Sequence, residues 1–264
     1  MSIRSYRLPM MPYHQADNQA QMARADADVL MWFYGLSAVE RTDGRPEARS
    51  QPAPDITLGD QLLPAGPTLE IGVFYGGSLW FAAQRAKLLG TEAWGLDEFG
   101  RPGAKFADEP TMLVCAAHLA AEGLHTGAVF AIGNSLDETF PTVRIANTAR
   151  QIHGLPGGFT LNKSRAQALP DGHFAGVFSG ADHSGRWALT DIPLCDRITQ
   201  PGGYIAVHAM HGTADAPHPQ YDDPRLNAPD GRPYERVVRD LAAEFGWKMV
   251  RRERGSSLEV YRKP

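Results

Sequence analysis

Hydrophobic and polar positions change their rhythm near residue 68 of this 264-residue chain. From Thr68 onward, short apolar runs alternate with longer stretches of helical period, which predicts an α/β fold: a parallel sheet with helices on both faces. Leu69–Phe74 reads as the first strand, Leu79–Leu89 as its helix and Ala93–Leu96 as the second strand. Gly158–Asn162 and Gly176–Ser179 read as the third and fourth strands, and Tyr204–His208 as the fifth, entered through the turn signature Gln200-Pro-Gly-Gly203. Tyr234–Phe245 has the spacing of an amphipathic helix that stops at Gly246. Trp247–Arg251 and Ser257–Tyr261 then form a closing strand pair, so the sheet should end in an antiparallel strand. Within 101–157, Thr111–Glu122 predicts a helix, while Ala128–Ile132 fits either a strand or part of a covering insertion.

Before Thr68 the pattern differs. Residues 1–40 carry a helical arrangement of Met22, Leu30, Met31, Phe33 and Tyr34, and Arg41–Pro67 is rich in Pro, Gly, Asp and Arg, as an exposed linker would be. We therefore divide the chain into an N-terminal helical extension with its linker, residues 1–65, and a main domain, residues 66–264. The extension is expected either to pack on the main domain or to act as a lid or dimer arm, the latter giving a homodimer through the N-terminal helices.

Composition narrows the class. With 43% hydrophobic and 21% charged residues the chain can bury a full core, and a net charge of −4 gives no electrostatic reason for a nucleic-acid partner. Cys115 and Cys195 each sit among apolar residues and are expected to be free buried thiols. Met1–Asn18 lacks the apolar stretch of a signal peptide, and Val29–Leu36 is too short to cross a bilayer. No membrane partner and a soluble, reducing, cytoplasmic setting are the resulting expectations.

The candidate chemistry begins at Thr68-Leu-Glu-Ile-Gly-Val-Phe-Tyr-Gly-Gly-Ser-Leu-Trp80. An apolar strand carrying an acid runs into a glycine-rich turn and then a helix, whose free N–H groups point at whatever sits on the turn. Asp97 closes the second strand about 25 residues later, where an acid commonly binds the ribose hydroxyls of a nucleotide. Strand, turn, helix, strand and acid in this order imply a nucleoside cofactor. The turn lacks a clean Gly-x-Gly-x-x-Gly, and no Tyr-x-x-x-Lys pair is present for a short-chain dehydrogenase mechanism.

These pieces resemble the class I S-adenosylmethionine-dependent methyltransferases, in particular the small O-methyltransferase-like branch with an Asp-His-Ser motif. The matching segments are Glu70-Ile-Gly-Val-Phe-Tyr-Gly-Gly-Ser78, Trp94-Gly-Leu-Asp97, Ser164-Arg-Ala-Gln-Ala-Leu-Pro170, Ala181-Asp-His-Ser184, Gln200-Pro-Gly-Gly-Tyr-Ile-Ala-Val-His208 and the ending Leu258-Glu-Val-Tyr-Arg-Lys-Pro264. The resemblance implies a Rossmann-like, doubly wound, mostly parallel sheet. It also implies S-adenosyl-L-methionine as cofactor, with Glu70, Gly72, Tyr75, Gly76, Gly77 and Ser78 about its methionine part. Asp97 would accept from the ribose hydroxyls, Ser164 and Arg165 would border the adenine, and Asp182 and His183 would flank the sulfonium. The reading without a ligand makes Gly76 and Gly77 a tight turn, Asp97 a helix cap, and Asp182 or Ser184 the cap of the helix through Trp187 and Leu189.

The departures from that branch carry information. Gly180 stands where relatives have an acid, and His208-Ala209 where they have His-Asp; in metal-dependent members those acids help hold a divalent cation. No metal is therefore expected, although His183, His208, His211 and Asp182 leave a softer ion open. A neutral imidazole can take the substrate's proton, with His183 the first candidate, His208 the second and Asp182 beside them. His211, His218 and Tyr221 would rim the substrate. The expected function is methylation of a small-molecule hydroxyl, with N-methylation, or cofactor binding without catalysis, as alternatives.

Overall fold

The computed structural model describes residues 24–38, 56–59, 63–74, 76–99, 111–147, 159–210 and 223–264. Helix α1 spans Arg24–Phe33, and strand β1, Leu36–Ala38, pairs antiparallel with β2, Ile56–Leu58. The main sheet holds β3 (Thr68–Ile71), β4 (Ala93–Asp97), β5 (Ala128–Ile132), β6 (Thr142–Asn147), β7 (Phe159–Lys163), β8 (Phe174–Ser179), β9 (Thr199–Val207), β10 (Lys248–Arg252) and β11 (Glu259–Arg262). Helices α2 (Leu79–Leu89), α3 (Thr111–Ala121), α4 (Gly185–Ile198) and α5 (Tyr234–Glu244) connect them. Among the described residues no helix is long and apolar enough to cross a membrane.

The strand order is β10-β11-β9-β8-β3-β4-β5-β6-β7. The pairs β9–β8, β8–β3, β3–β4 and β4–β5 are parallel, while the outer pairs on both sides are antiparallel. The fold is thus α/β and Rossmann-like, with a parallel centre and an antiparallel margin on each flank, not at the C-terminal flank alone. Alternation along the central strands divides the core. Leu69, Ile71, Trp94, Leu96, Val177 and Ile205 face α4 and α5. Ala93, Phe130, Phe178 and Ala206 face α1, α2 and α3.

Four expectations need correction. The third parallel strand is Ala128–Ile132, which the sequence leaves open, and it lies directly beside β4. The segment read as strand Gly158–Asn162 becomes the edge strand Phe159–Lys163, antiparallel to a β6 that the hydrophobic pattern does not announce. Ile56–Leu58 is a strand inside the expected linker. The fifth strand also starts earlier, at Thr199, so Pro-Gly-Gly lies within it.

Helix α1 belongs to the packed body. Val29, Leu30, Phe33 and Tyr34 are fully buried. Buried Asp26 accepts from Ser256 Oγ (2.7 Å), Ser257 N (2.6 Å) and Ser257 Oγ (2.8 Å), fixing α1 to the β10–β11 turn. The Arg85 guanidinium, fully buried on α2, donates to the carbonyls of Tyr34, Leu63 and Pro64. A helix so tied is a packed element; any lid or dimer arm within residues 1–23 lies outside the described residues.

Candidate functional site at the carboxyl edge of the sheet

Open α/β sheets bind ligands beyond the carboxyl ends of their strands, where the strand order reverses. Here the chain runs outward from β3 to β7 and then returns to place β8 on the other side of β3. Backbone hydrogen bonds carry the ladder one step past the strands: Gly133 N to Asp97 O (2.9 Å), Gly72 N to Leu96 O (2.8 Å), Gly180 N to Ile71 O (2.8 Å) and His208 N to Ser179 O (2.9 Å). Asp97, Gly72, Gly180 and His208 therefore stand in one row across four adjacent strands.

The two loops at the reversal touch. Gly72 has φ +85°, and a Cβ there would come within 2.5 Å of Ala181 Cα and 2.6 Å of its nitrogen. At Gly76 (φ +83°) a Cβ would lie 2.2 Å from the buried Cys115 Sγ of α3. Both glycines are required by the fold itself. Gly77 differs: among the described residues nothing lies within 4 Å of the place its Cβ would take.

Asp97 has more work than the sequence assigns to it. Its Oδ2 accepts from the backbone nitrogens of Val73 and Phe74, both at 2.8 Å, and its Oδ1 from Phe99 N at 2.9 Å. It caps the glycine turn rather than a helix. A carboxylate has about four acceptor positions, so roughly one remains for a ligand hydroxyl. Non-glycine residues with positive φ, among those described, are Phe74, Phe99 and Ala209. Each follows a strand of this row, and backbone strain of this kind concentrates at functional sites.

Glu70 is fully buried on β3, facing the α2 side. Ser78 Oγ donates to its Oε1, while Oε2 has no partner among the described residues. Burial pushes its pKa well above the usual carboxylate range, the Ser78 bond pulls it down, and Asp97 pushes it up again. Ser78 stands at the N-cap of α2 without capping it, because its hydroxyl turns to Glu70. Fully buried Tyr34 and Cys115 are raised in the same way, mainly by burial and then by Glu70, and Arg85 is lowered by burial.

Across the reversal, Ser184 caps α4 by accepting from Trp187 N at 3.4 Å. Asp182 is exposed, and His183 and His208 are partly buried. Nδ1 of His208 lies 3.1 Å from Nε2 of His183. Tyr234, the first residue of α5, places its ring 5.8 Å from that of His183. On α4, buried Asp191 rises to about 6, chiefly through burial, with a Ser135 hydrogen bond lowering it and Asp182 raising it. Among the described residues no three His, Cys, Asp or Glu side chains converge as a metal cluster would. Both cysteines are free and buried.

Not every candidate joins this row. Ser164 follows β7, three strands beyond β4, or about 14 Å at usual strand spacing; its hydroxyl pairs with Thr142 Oγ1. Ser164 and its neighbour Arg165 are thus not brought to Asp97. Gly133 and Asn134, at the end of β5, stand there instead, with Asn134 Nδ2 donating to Glu98 Oε1 at 3.0 Å. The signal was present: Ala128–Ile132 runs into a glycine as Leu69–Ile71 does. Nothing in the sequence singles out Tyr234 or Asp191. Tyr75, His211, His218 and Tyr221 lie outside the described residues.

No protein-family model and no curated protein matches the chain. Among solved structures it is similar to cofactor-bound Rv0187 from MTB, at 16% identity and TM-score 0.44 over 75% of this chain and 72% of that one. An O-methyltransferase family protein from Burkholderia thailandensis gives 17% identity and TM-score 0.46 over 75% of this chain and 51% of that one. A geranyl diphosphate C-methyltransferase from Streptomyces coelicolor A3(2) gives 10% identity and TM-score 0.47 over 78% and 72%. The chain spans about half the length of the Burkholderia protein. These likenesses are too distant to assign chemistry, which has to come from the site.

Proposed function

We propose that the protein is an S-adenosylmethionine-dependent methyltransferase acting on a small-molecule hydroxyl. The observation that carries this reading is the row at the strand reversal, where Asp97, bound to the glycine turn, stands three strand spacings from the His183–His208 pair, about 14 Å. That separation suits a ligand with a ribose at one end and a reacting group toward the other. The cofactor, when bound, supplies a methyl group made electrophilic by its sulfonium.

The residues present fit such a ligand. Buried Glu70 Oε2, without a partner among the described residues, is a polar atom that a ligand could satisfy, and the space over Gly77 admits a ligand close to the backbone. Asp97 retains about one acceptor position for a ribose hydroxyl. Gly72, Tyr75, Gly76 and Ser78 would border the methionine part, and Asp182 would stand beside the substrate. His183 or His208 would take the proton of the attacking hydroxyl, an assistance worth about 100-fold or more. Gly180 and Ala209 have no side chain able to ligate a metal, so turnover is expected to persist in chelator.

Calorimetry with S-adenosylhomocysteine tests the reading. One site per chain with micromolar affinity, about −8 kcal/mol, is expected. Gly77→Val should weaken binding at least tenfold without moving the melting temperature. Absence of binding by the unmodified protein would overturn the proposal, and labelled-cofactor turnover against metabolite pools would then separate an enzyme from a binding protein if binding is found.

A further inference from the structure

His183 and His208 come from different loops, yet their rings meet at 3.1 Å between Nε2 of His183 and Nδ1 of His208, with centroids 4.8 Å apart and planes at 69°. Two imidazole nitrogens at that distance are joined by an N–H···N hydrogen bond, which holds a single hydrogen. For two neutral rings this links their tautomers. Either His183 bears its hydrogen on Nε2 and a lone pair on Nδ1, or His208 bears its hydrogen on Nδ1 and a lone pair on Nε2. The surroundings hold the pair from several elements. Tyr234 of α5 packs against His183, Phe178 of β8 places its ring 6.4 Å from that of His208, and the His208 backbone is fixed to Ser179. Among the described residues, Asp182 precedes His183 in the chain and is exposed.

We propose that His183 and His208 form a two-ring proton relay, not two alternative bases; this rests on the methyl-transfer reading above. The substrate's O–H bond would break as its hydrogen joins His183 Nδ1, the electron pair left on oxygen would bond the methyl carbon, and the methyl–sulfur bond would break with its pair staying on sulfur. The bridging hydrogen passes from His183 Nε2 to His208 Nδ1, and the hydrogen on His208 Nε2 leaves to water. Both rings end neutral in the opposite tautomers. Water then returns a hydrogen to His208 Nε2 and removes the one on His183 Nδ1, while the bridging hydrogen moves back. The physical advantage is electrostatic. A lone histidine would hold an imidazolium beside a ligand that is itself cationic, whereas the relay moves that charge one ring away from the reacting atoms.

The test needs no substrate. Nitrogen NMR of histidine-labelled protein should show the two rings titrating as one coupled unit, in two steps about one pH unit or more apart. In His208→Asn, where an amide can still bond to His183 but cannot pass a proton on, His183 should titrate in a single step. S-adenosylhomocysteine should shift the ring signals of both histidines in the unmodified protein. Two independent single-step titrations would overturn the relay, as would binding of S-adenosylhomocysteine with both rings unmoved; each leaves the cofactor reading standing. Failure of S-adenosylhomocysteine to bind while the rings remain coupled would instead overturn the methyltransferase reading and the relay with it. If His208→Asn does not fold, the titration of the unmodified protein decides alone.

Discussion

The two halves of the carboxyl edge are built on different terms. In the β3–β4 half nearly every candidate residue is also a structural member: Gly72 clears Ala181, Gly76 clears Cys115, and Asp97 holds three backbone N–H groups. In the β8–β9 half, Asp182 is exposed and the two histidines, partly buried, meet side chain to side chain. Binding residues that double as scaffold are preorganised but tolerate little change. Chemistry placed on side chains alone can be altered while the fold stays intact.

Substitution at Gly72 should break this contrast most strongly if it is wrong. Gly72→Ala combines a strained left-handed backbone with a clash against backbone atoms of Ala181, and should lose about 4 kcal/mol of stability in denaturant unfolding. A loss under 1 kcal/mol would mean the two loops are not in close contact. Asp97→Ala should lose about 3 kcal/mol, since three backbone donors lose their acceptor, and should also weaken nucleoside binding. Reduced affinity with unchanged stability would return Asp97 to a purely ligand-facing role.

Asp191, beneath the β8–β9 half, gives the pH-dependent arm. Its folded value of about 6 lies above the ordinary 3.8, so the native state holds this proton more tightly than the unfolded chain does. The stability it contributes is therefore full below 3.8 and is lost as pH rises to about 6. Asp191→Asn should raise stability by about 2 kcal/mol at pH 8, allowing for a weaker bond to Ser135, and change little at pH 3.5. Equal effects at both pH values would exclude the burial explanation. The smallest expected effect is His183→Ala, within about 1 kcal/mol in stability but about 100-fold or more in turnover once a substrate is in hand. A stability loss as large as that at Gly72 would erase the difference between the halves.

How much of this is visible in the sequence follows from burial. Strands β3, β4, β8 and the end of β9 are covered on both faces, so Leu69–Ile71, Ala93–Leu96, Gly176–Ser179 and Tyr204–Val207 read as apolar runs. Thr142–Asn147 and Phe159–Lys163, at the sheet margin, mix Arg, Asn and Lys with apolar residues, and the period-two signal fades. Reading the third strand at Gly158–Asn162 rather than at Ala128–Ile132 hides Gly133 and Asn134. The histidines are legible as strand-end residues. Their hydrogen bond depends on how β8 and β9 align, with a register shift between Phe174 and Gly176 that no local pattern encodes.

The Asp26 contact with Ser256 and Ser257 spans some 230 residues of sequence. During synthesis on the ribosome, α1 leaves the tunnel long before the β10–β11 turn that receives its acid. Until that turn arrives, Asp26 lacks its three donors, and α1 can hold only what it packs against meanwhile. Contacts of such sequence separation form late, because the loop they close is long. Docking of this helix should therefore be among the last events of folding. Pulse-labelled amide exchange during refolding would register it as slow protection of α1, lagging behind the central strands.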